Sequence, residues 1–269
     1  MPVIVNGVAG ARLDPLDRGL QYGDGLFETM AVQDGRARFF EWHLERLAEG
    51  ARRLTLPMPD RAPVLGQIAA AWPQGRGVVK LIWTRGPAAR GYRPPAKLQP
   101  TCIAAGFDWP AWPATAWREG VRLRYCRVRC SRNPALAGIK HLNRLEQVMA
   151  RAEWDDEDIA EGLMLDDRDQ VISGTQSNLF AVIAGQLVTP SLDQCGVAGV
   201  MRRAFRSWAA EHGTAVVERG IRAGELGTAT EMFMTNALIG AWPVRELAGK
   251  RVPVGSLAAR FNDWLESQG

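Results

Sequence analysis

The chain has no apolar run of about 18 residues, so no segment reads as a helix able to cross a bilayer. Its opening, Met1-Pro2-Val3-Ile4-Val5-Asn6-Gly7, lacks the basic stretch and apolar run of a secretory leader, and a cytoplasmic location is the expectation. Cysteine and histidine are scarce. Of Cys102, Cys126, Cys130 and Cys195 only the middle pair is close in sequence, and His43, His141 and His212 are scattered. That excludes a zinc cluster of ordinary spacing and leaves no metal expected, with free buried thiols in a reducing compartment as the simplest reading. Charge of one sign is lacking as well: 33 basic residues face 29 acidic ones, spread along the chain without a tail or stripe. Nucleic acid is therefore not an expected partner, and the slight positive excess favours a small anionic substrate. No repeat is visible, which argues against a solenoid.

What is present is a patterned chain of 269 residues, enough for two modest domains. Val3 to Val5, Glu28 to Val32 and Arg36 to Phe40 read as strands, with Asn6-Gly7 and Gln33-Asp34-Gly35 as turns. Phe40, Leu44, Leu47, Ala51 and Leu54 recur at helical spacing, and a second helix is predicted over Ala62 to Trp72. Val78 to Trp83 and Thr101 to Phe107 read as buried strands. The proline-broken stretch around 111–118 is the candidate linker between a small α/β domain, 1–110, and a larger strand-rich domain, 119–269. In the latter, Val121, Leu123 and Tyr125 alternate as in a strand, and a helix is predicted just after Lys140 through Leu142, Leu145, Val148, Met149 and Ala152. Short strands at 163–165, 170–172, 178–183 and 187–189, a helix over about 199–212, and strands near Val216 and Glu231 follow.

Three segments could carry chemistry. Lys140 sits between a Gly/Pro-rich approach and the predicted helix start, where an unfavourable dipole and nearby arginines would favour the free amine. On placement alone an ordinary solvated lysine explains it better. Gly196-Val197-Ala198-Gly199 precedes a helix whose first N–H groups could hold a phosphate, although on its own a glycine-mediated helix start accounts for it better. Arg90-Gly91-Tyr92-Arg93, after a predicted strand, forms a basic loop suited to carboxylates, or a loop that is merely basic.

In order along the chain stand Asp17-Arg18-Gly19-Leu20-Gln21-Tyr22-Gly23-Asp24-Gly25-Leu26-Phe27-Glu28-Thr29, His43-Leu44-Glu45-Arg46-Leu47, Arg85-Gly86 and Arg90-Gly91-Tyr92. Gly138-Ile139-Lys140-His141-Leu142-Asn143-Arg144-Leu145-Glu146, Ser177-Asn178-Leu179-Phe180, Gly199-Val200-Met201-Arg202 and Met234-Thr235-Asn236-Ala237 follow. Together they resemble the fold-type-IV pyridoxal-phosphate enzymes, a family of branched-chain and D-amino acid transaminases and aminodeoxychorismate lyases. The resemblance spans nearly the whole chain, and the stretch around Lys140 is closest to the lyase branch.

The resemblance implies a small α/β domain and a pseudo-barrel domain, pyridoxal 5'-phosphate as cofactor, and a homodimer. It makes Lys140 the Schiff-base lysine and Arg46 a phosphate ligand, with Val200, Met201, Asn236 and Ala237 completing the phosphate cradle. Thr29 stands where the branched-chain transaminases carry glycine and the lyases carry threonine, so it is a candidate proton relay. Arg90, Tyr92, Arg144 and Tyr22 are the candidates for contacting the anionic substrate, in the lyase case 4-amino-4-deoxychorismate. The chain departs from the family at Ser173, where a glutamate normally pairs with the pyridine nitrogen. A serine hydroxyl can hydrogen-bond that nitrogen but supplies no charge to keep it protonated. A transaminase, or a cofactor-binding protein with impaired chemistry, stays open on that account.

Overall fold

The computed structural model describes residues 2–268. Contacts divide the chain into two units. The first runs to Ala111 and takes in Ile139–Asn143; the second comprises Trp112–Gly138 and the chain from Arg144 onward.

In the first unit the strands are β1 (Val3–Val5), β2 (Val8–Ala9), β3 (Gly25–Gln33), β4 (Arg36–Ala37), β5 (Arg76–Thr84) and β6 (Thr101–Asp108). They form one antiparallel sheet in the order β2-β1-β6-β5-β3-β4. Its helices are α1 (Arg18–Tyr22), α2 (Phe40–Arg53) and α3 (Arg61–Ala71). The strand expected up to Phe40 stops early because Phe39, with φ of 53°, turns the chain into α2. On α2 the buried positions are His43, Leu47, Gly50 and Ala51. Gly50 lets the helix approach closely, since a Cβ there would lie 2.7 Å from Leu26 Cδ2. Along β3, Leu26, Glu28 and Met30 are almost fully buried, whereas Phe27 and Thr29 on the opposite face are half-buried.

The second unit holds α4 (Thr115–Arg118), β7 (Val121–Cys130), α5 (Leu145–Arg151), β8 (Ile159–Asp166), β9 (Val171–Gly174), β10 (Asn178–Ile183) and β11 (Gln186–Pro190). It continues with α6 (Val200–Glu211), β12 (Val216–Arg219), β13 (Glu231–Asn236), β14 (Gly240–Leu247), β15 (Lys250–Arg251) and α7 (Leu257–Ser267), the last three of which the sequence reading did not resolve. The main sheet runs β12-β11-β10-β13-β14-β7-β8-β9, a mixed pseudo-barrel in which the N–H of Gly174 donates to Ser177 O at 2.8 Å and turns β9 into β10. Phe180, Phe205, Phe233 and Phe261 pack together against it, fully buried, each burial being worth about 1.5–3 kcal/mol. The 112–118 stretch packs here: Trp112 and Trp117 meet Trp242 edge-on, and Trp117 Nε1 donates to Ile239 O at 2.8 Å.

Two expectations around Lys140 fail. No helix begins there; α5 starts five residues later, because the backbone at Lys140 and Leu142 hydrogen-bonds to β3 instead. Nor do Leu145, Val148 and Met149 face a core: they are 70%, 62% and 54% exposed.

Candidate active site

The segment carrying Lys140 is tied to β3 by backbone hydrogen bonds and one isolated bridge. The N–H of Phe27 donates to Lys140 O at 2.9 Å, that of Leu142 to Gly25 O at 3.0 Å, and His141 bridges Leu26. Asn143 Nδ2 donates to Gly23 O at 3.2 Å, and Gly23, with φ of 65°, leaves room for it: a Cβ would lie 2.6 Å from Asn143 Oδ1. With its backbone fixed, Lys140 sends Nζ to 4.2 Å from the Phe27 ring centroid. Strand alternation puts Thr29 on the same face as Phe27. The helix-dipole argument from the sequence therefore lapses; the apolar ring beside the amine takes its place as the local influence.

Behind β3 lies a network the sequence did not disclose. Glu28, 1% exposed, accepts from His43 Nδ1 at 2.6 Å and from Arg46 Nε at 2.8 Å, and Arg46 Nη2 also reaches it. Burial alone would raise the Glu28 pKa, but Arg46 and His43 outweigh it and hold the carboxyl at about 2. Burial pushes the His43 pKa down despite Glu28, which leaves a neutral ring donating from Nδ1. Glu28 thus fixes the Arg46 guanidinium as two parallel hydrogen bonds do. The available signal was a charged residue between Leu26 and Met30 on the inward side of a strand.

Elsewhere in the first unit, Asp24 accepts from Arg85 Nε at 2.7 Å and Arg18 Nε at 2.8 Å. Arg18 donates onward to Gly91 O and Tyr92 O, and the Tyr22 hydroxyl accepts from the Gly91 N–H at 3.1 Å. The structure thereby brings Tyr22 and Tyr92 together, rings edge-on at 5.5 Å, on the exposed loop that carries Arg90.

In the second unit, α6 begins at Gly199 with no side-chain cap, so its first N–H groups, those of Val200 and Met201 among them, point outward from a positive helix end. Asn178 sets that loop: its Oδ1 accepts from Gly199 N at 3.1 Å and its Nδ2 donates to Val197 O at 2.9 Å. Gly199 is required, since a Cβ would fall 2.2 Å from Asn178 Oδ1. Thr235, directly across from Asn178 on β13, is 1% exposed, and its hydroxyl has no partner among the described residues. Asn236 spends its Oδ1 on the N–H groups of Leu238 and Ile239, shaping the turn that includes Ala237. Arg144 precedes α5, its pKa lowered by burial.

Ser173, on β9, is buried, and its Oγ donates to Gly174 O at 2.8 Å. Glu161, also missed from sequence, lies beneath the following loop and accepts from Gly162 N, Thr175 N, Thr175 Oγ1, Gln176 N and Ser177 Oγ at 2.5–3.1 Å. With five donors engaged, Glu161 is a loop anchor and not a spare carboxylate for the Ser173 position.

The first unit sets an amine beside an aromatic ring and fixes an arginine; the second has an uncapped helix start, of the kind that holds a phosphate, and an orphaned buried hydroxyl. Comparison with known proteins agrees in kind. The family model for class IV amino-transferases matches residues 25–247. The aminodeoxychorismate lyase of Vibrio harveyi is 35% identical, covering 98% of this chain and 99% of its own. A crystal structure of 4-amino-4-deoxychorismate lyase from Pseudomonas aeruginosa superposes with a TM-score of 0.94 at 49% identity, covering 98% of both chains. The Escherichia coli branched-chain aminotransferase shares the fold at a TM-score of 0.88 and 23% identity, over 99% of this chain and 93% of that one. On the extent of these matches, the chain belongs to the class IV aminotransferases.

Proposed function

We propose that this chain is a pyridoxal-phosphate-dependent lyase that converts 4-amino-4-deoxychorismate to 4-aminobenzoate and pyruvate, a step toward folate. The observation that carries the reading is the Lys140 segment laid along β3, its Nζ on the face that also bears Thr29. The lyase names of a 35%-identical relative and a 49%-identical structure support it.

Pyridoxal phosphate, when bound, supplies an electron sink for the substrate's amine-bearing carbon. The residues do the rest. Lys140 Nζ takes the proton from that ring carbon, with Thr29 as relay. The bond between the ring and the enolpyruvyl oxygen then breaks, the ring becomes aromatic, and the Lys140 ammonium returns a proton to the departing group as it becomes pyruvate. Arg46, held by Glu28, binds the phosphate together with the N–H groups of Val200 and Met201 and the Asn236-Ala237 turn. Ser173 is the residue that would meet the pyridine nitrogen, and its own proton already has an acceptor in Gly174 O. Arg90, Tyr92, Arg144 and Tyr22 receive the substrate. A cytoplasmic homodimer completes the proposal, supported by the family resemblance and the four buried free cysteines.

The test is to incubate protein, pyridoxal phosphate and 4-amino-4-deoxychorismate and follow both products. Equal release of 4-aminobenzoate and pyruvate is expected, falling by about a thousandfold or more in Lys140→Ala, which also loses the borohydride-reducible yellow band. Full turnover in that variant would refute the role of Lys140. A yellow band bleached by amino acids, with neither product formed, would make the protein a transaminase.

A further inference from the structure

Arg18 opens α1 and is 3% exposed, and a guanidinium so far from water is tolerated where its N–H groups find acceptors. Its Nε donates to Asp24 Oδ2 at 2.8 Å, Nη1 to Gly91 O at 2.7 Å and Nη2 to Tyr92 O at 3.0 Å. The two carbonyls lie 73 and 74 residues away in sequence, on the loop between β5 and β6. The same short segment ties that loop at three more points. The Arg18 N–H donates to Gly86 O at 3.0 Å, the Ala88 N–H to Leu16 O at 3.2 Å, and the Gly91 N–H to the Tyr22 hydroxyl at 3.1 Å.

What is gripped is main chain. The loop has no strand or helix of its own, and residues 89–94 are all exposed, so it has little core of its own to hold its shape. Because the ties reach carbonyls and N–H groups, the side chains of Arg90 and Arg93 keep their donors: neither has a partner among the described residues. The Tyr92 ring meets Tyr22 edge-on and is still 85% exposed. An arginine and a tyrosine carried on a main chain already fixed lose little freedom when they meet an anion, and a guanidinium can take a carboxylate by two hydrogen bonds.

We infer that Arg18 is a positioning residue for substrate capture: it fixes the main chain at Gly91 and Tyr92 so that Arg90 and Tyr92 stand ready for the carboxylates of the substrate. The inference rests on the lyase reading for the identity of that substrate, and it gives a role to a residue that touches none of it. If Arg18 served the fold alone, its replacement would lower stability and leave substrate affinity untouched.

Arg18→Lys keeps a cation beside Asp24 but cannot fork to both carbonyls. Loaded with pyridoxal phosphate and matched to the wild type by the yellow band, it is expected to raise KM for 4-amino-4-deoxychorismate about tenfold while kcat stays within about threefold. In a background lacking both receiving side chains, Arg90→Met with Tyr92→Ala, the same change should add less than about twofold, because it acts through them. Trypsin reads the loop directly: the bond after Arg90 is cut only when the loop leaves its place, and Arg18→Lys should be cut there about tenfold faster. Tyr22→Phe, which removes only the acceptor for the Gly91 N–H, should speed that cut by about threefold and serves if Arg18→Lys does not fold. An equal rise of KM in both backgrounds, a loss confined to kcat, or an unchanged rate of cutting in the folded variant overturns the inference. A wild type without lyase turnover would sink the lyase reading instead. Tryptic cutting, with binding of 4-aminobenzoate followed by the cofactor band in wild type and Arg18→Lys, would then still decide the role of Arg18.

Discussion

Each unit of the molecule buries a glutamate among hydrogen-bond donors, and the two, Glu28 and Glu161, are satisfied in opposite ways. Glu28 meets side-chain cations and a ring N–H, from Arg46 and His43 on α2. Glu161 meets the N–H of its neighbour Gly162 and, from the loop after Ser173, two backbone N–H groups and two hydroxyls. The first arrangement fixes a charge in space; the second fixes a backbone. A carboxylate surrounded by neutral dipoles can lose its charge and keep part of its hydrogen bonding. One that neutralises a buried guanidinium cannot, because the cation would be left uncompensated.

Substitution by the neutral isostere should separate them. Glu28→Gln is expected to cost about 3–5 kcal/mol by leaving Arg46 without its counter-charge. Glu161→Gln should cost about 1–3 kcal/mol, the amide turning an N–H toward donors that want an acceptor. In a chain of this length the gap corresponds to several degrees of Tm, about 2–4 °C for each kcal/mol. Equal losses would show that Glu28 acts through its hydrogen bonds alone. Glu28→Gln should also weaken pyridoxal-phosphate binding, since Arg46 loses its fixed orientation, whereas Glu161→Gln should act through Ser173 and change the cofactor's absorption more than its affinity.

Acid sharpens the same contrast. The Glu28 carboxyl is held at about 2, below its ordinary value of 4.5, so its contribution is complete above about pH 4.5 and is lost as the pH falls toward 2. The size is on the order of 3 kcal/mol, from about 1.4 kcal/mol per pH unit. His43 works in the same direction: its lowered pKa means that protonation at falling pH opposes the fold. Denaturant melts between pH 5 and 3 should show wild type losing stability faster than Glu28→Gln. Parallel curves would remove Glu28 from the account of acid sensitivity.

These two glutamates also mark where the sequence could be read and where it could not. Apolar runs bounded by turns located β3, β5 and β6, and helical spacing located α2, because burial there follows a local pattern. The same rule reads Glu28 as an interruption, since its partners lie fifteen and eighteen residues away on another element. Glu161 is hidden for the same reason, inside a strand of otherwise apolar residues. After Lys140 periodicity placed the helix only a few residues too early: Leu145, Val148 and Met149 lie on α5, yet Leu142 does not, because its bond to β3 and the Asn143–Gly23 bond override local propensity. Residues named from the family motifs were readable one by one.

A pair of smaller substitutions asks whether the start of α6 is built for an anion. Asn178→Ala removes both bonds that shape the Val197–Gly199 loop and should raise the cofactor dissociation constant about tenfold, through one or two hydrogen bonds of about 1 kcal/mol each. Thr235→Val is the finer probe, because its two effects should have opposite signs. The Thr235 hydroxyl is buried without a protein partner, and replacing it by a methyl group of similar shape removes a desolvated polar atom. The cofactor-free protein should therefore melt unchanged or higher, by up to about 1 kcal/mol. If that hydroxyl is kept for the phosphate, the same change should weaken pyridoxal-phosphate binding about fivefold, and inorganic phosphate should protect wild type from heat better than the variant. A variant more stable without cofactor and bound as tightly with it would mean that Thr235 only packs between β10 and β13. Gain on one measurement and loss on the other would show a buried polar atom that weakens the empty fold for the sake of what it holds.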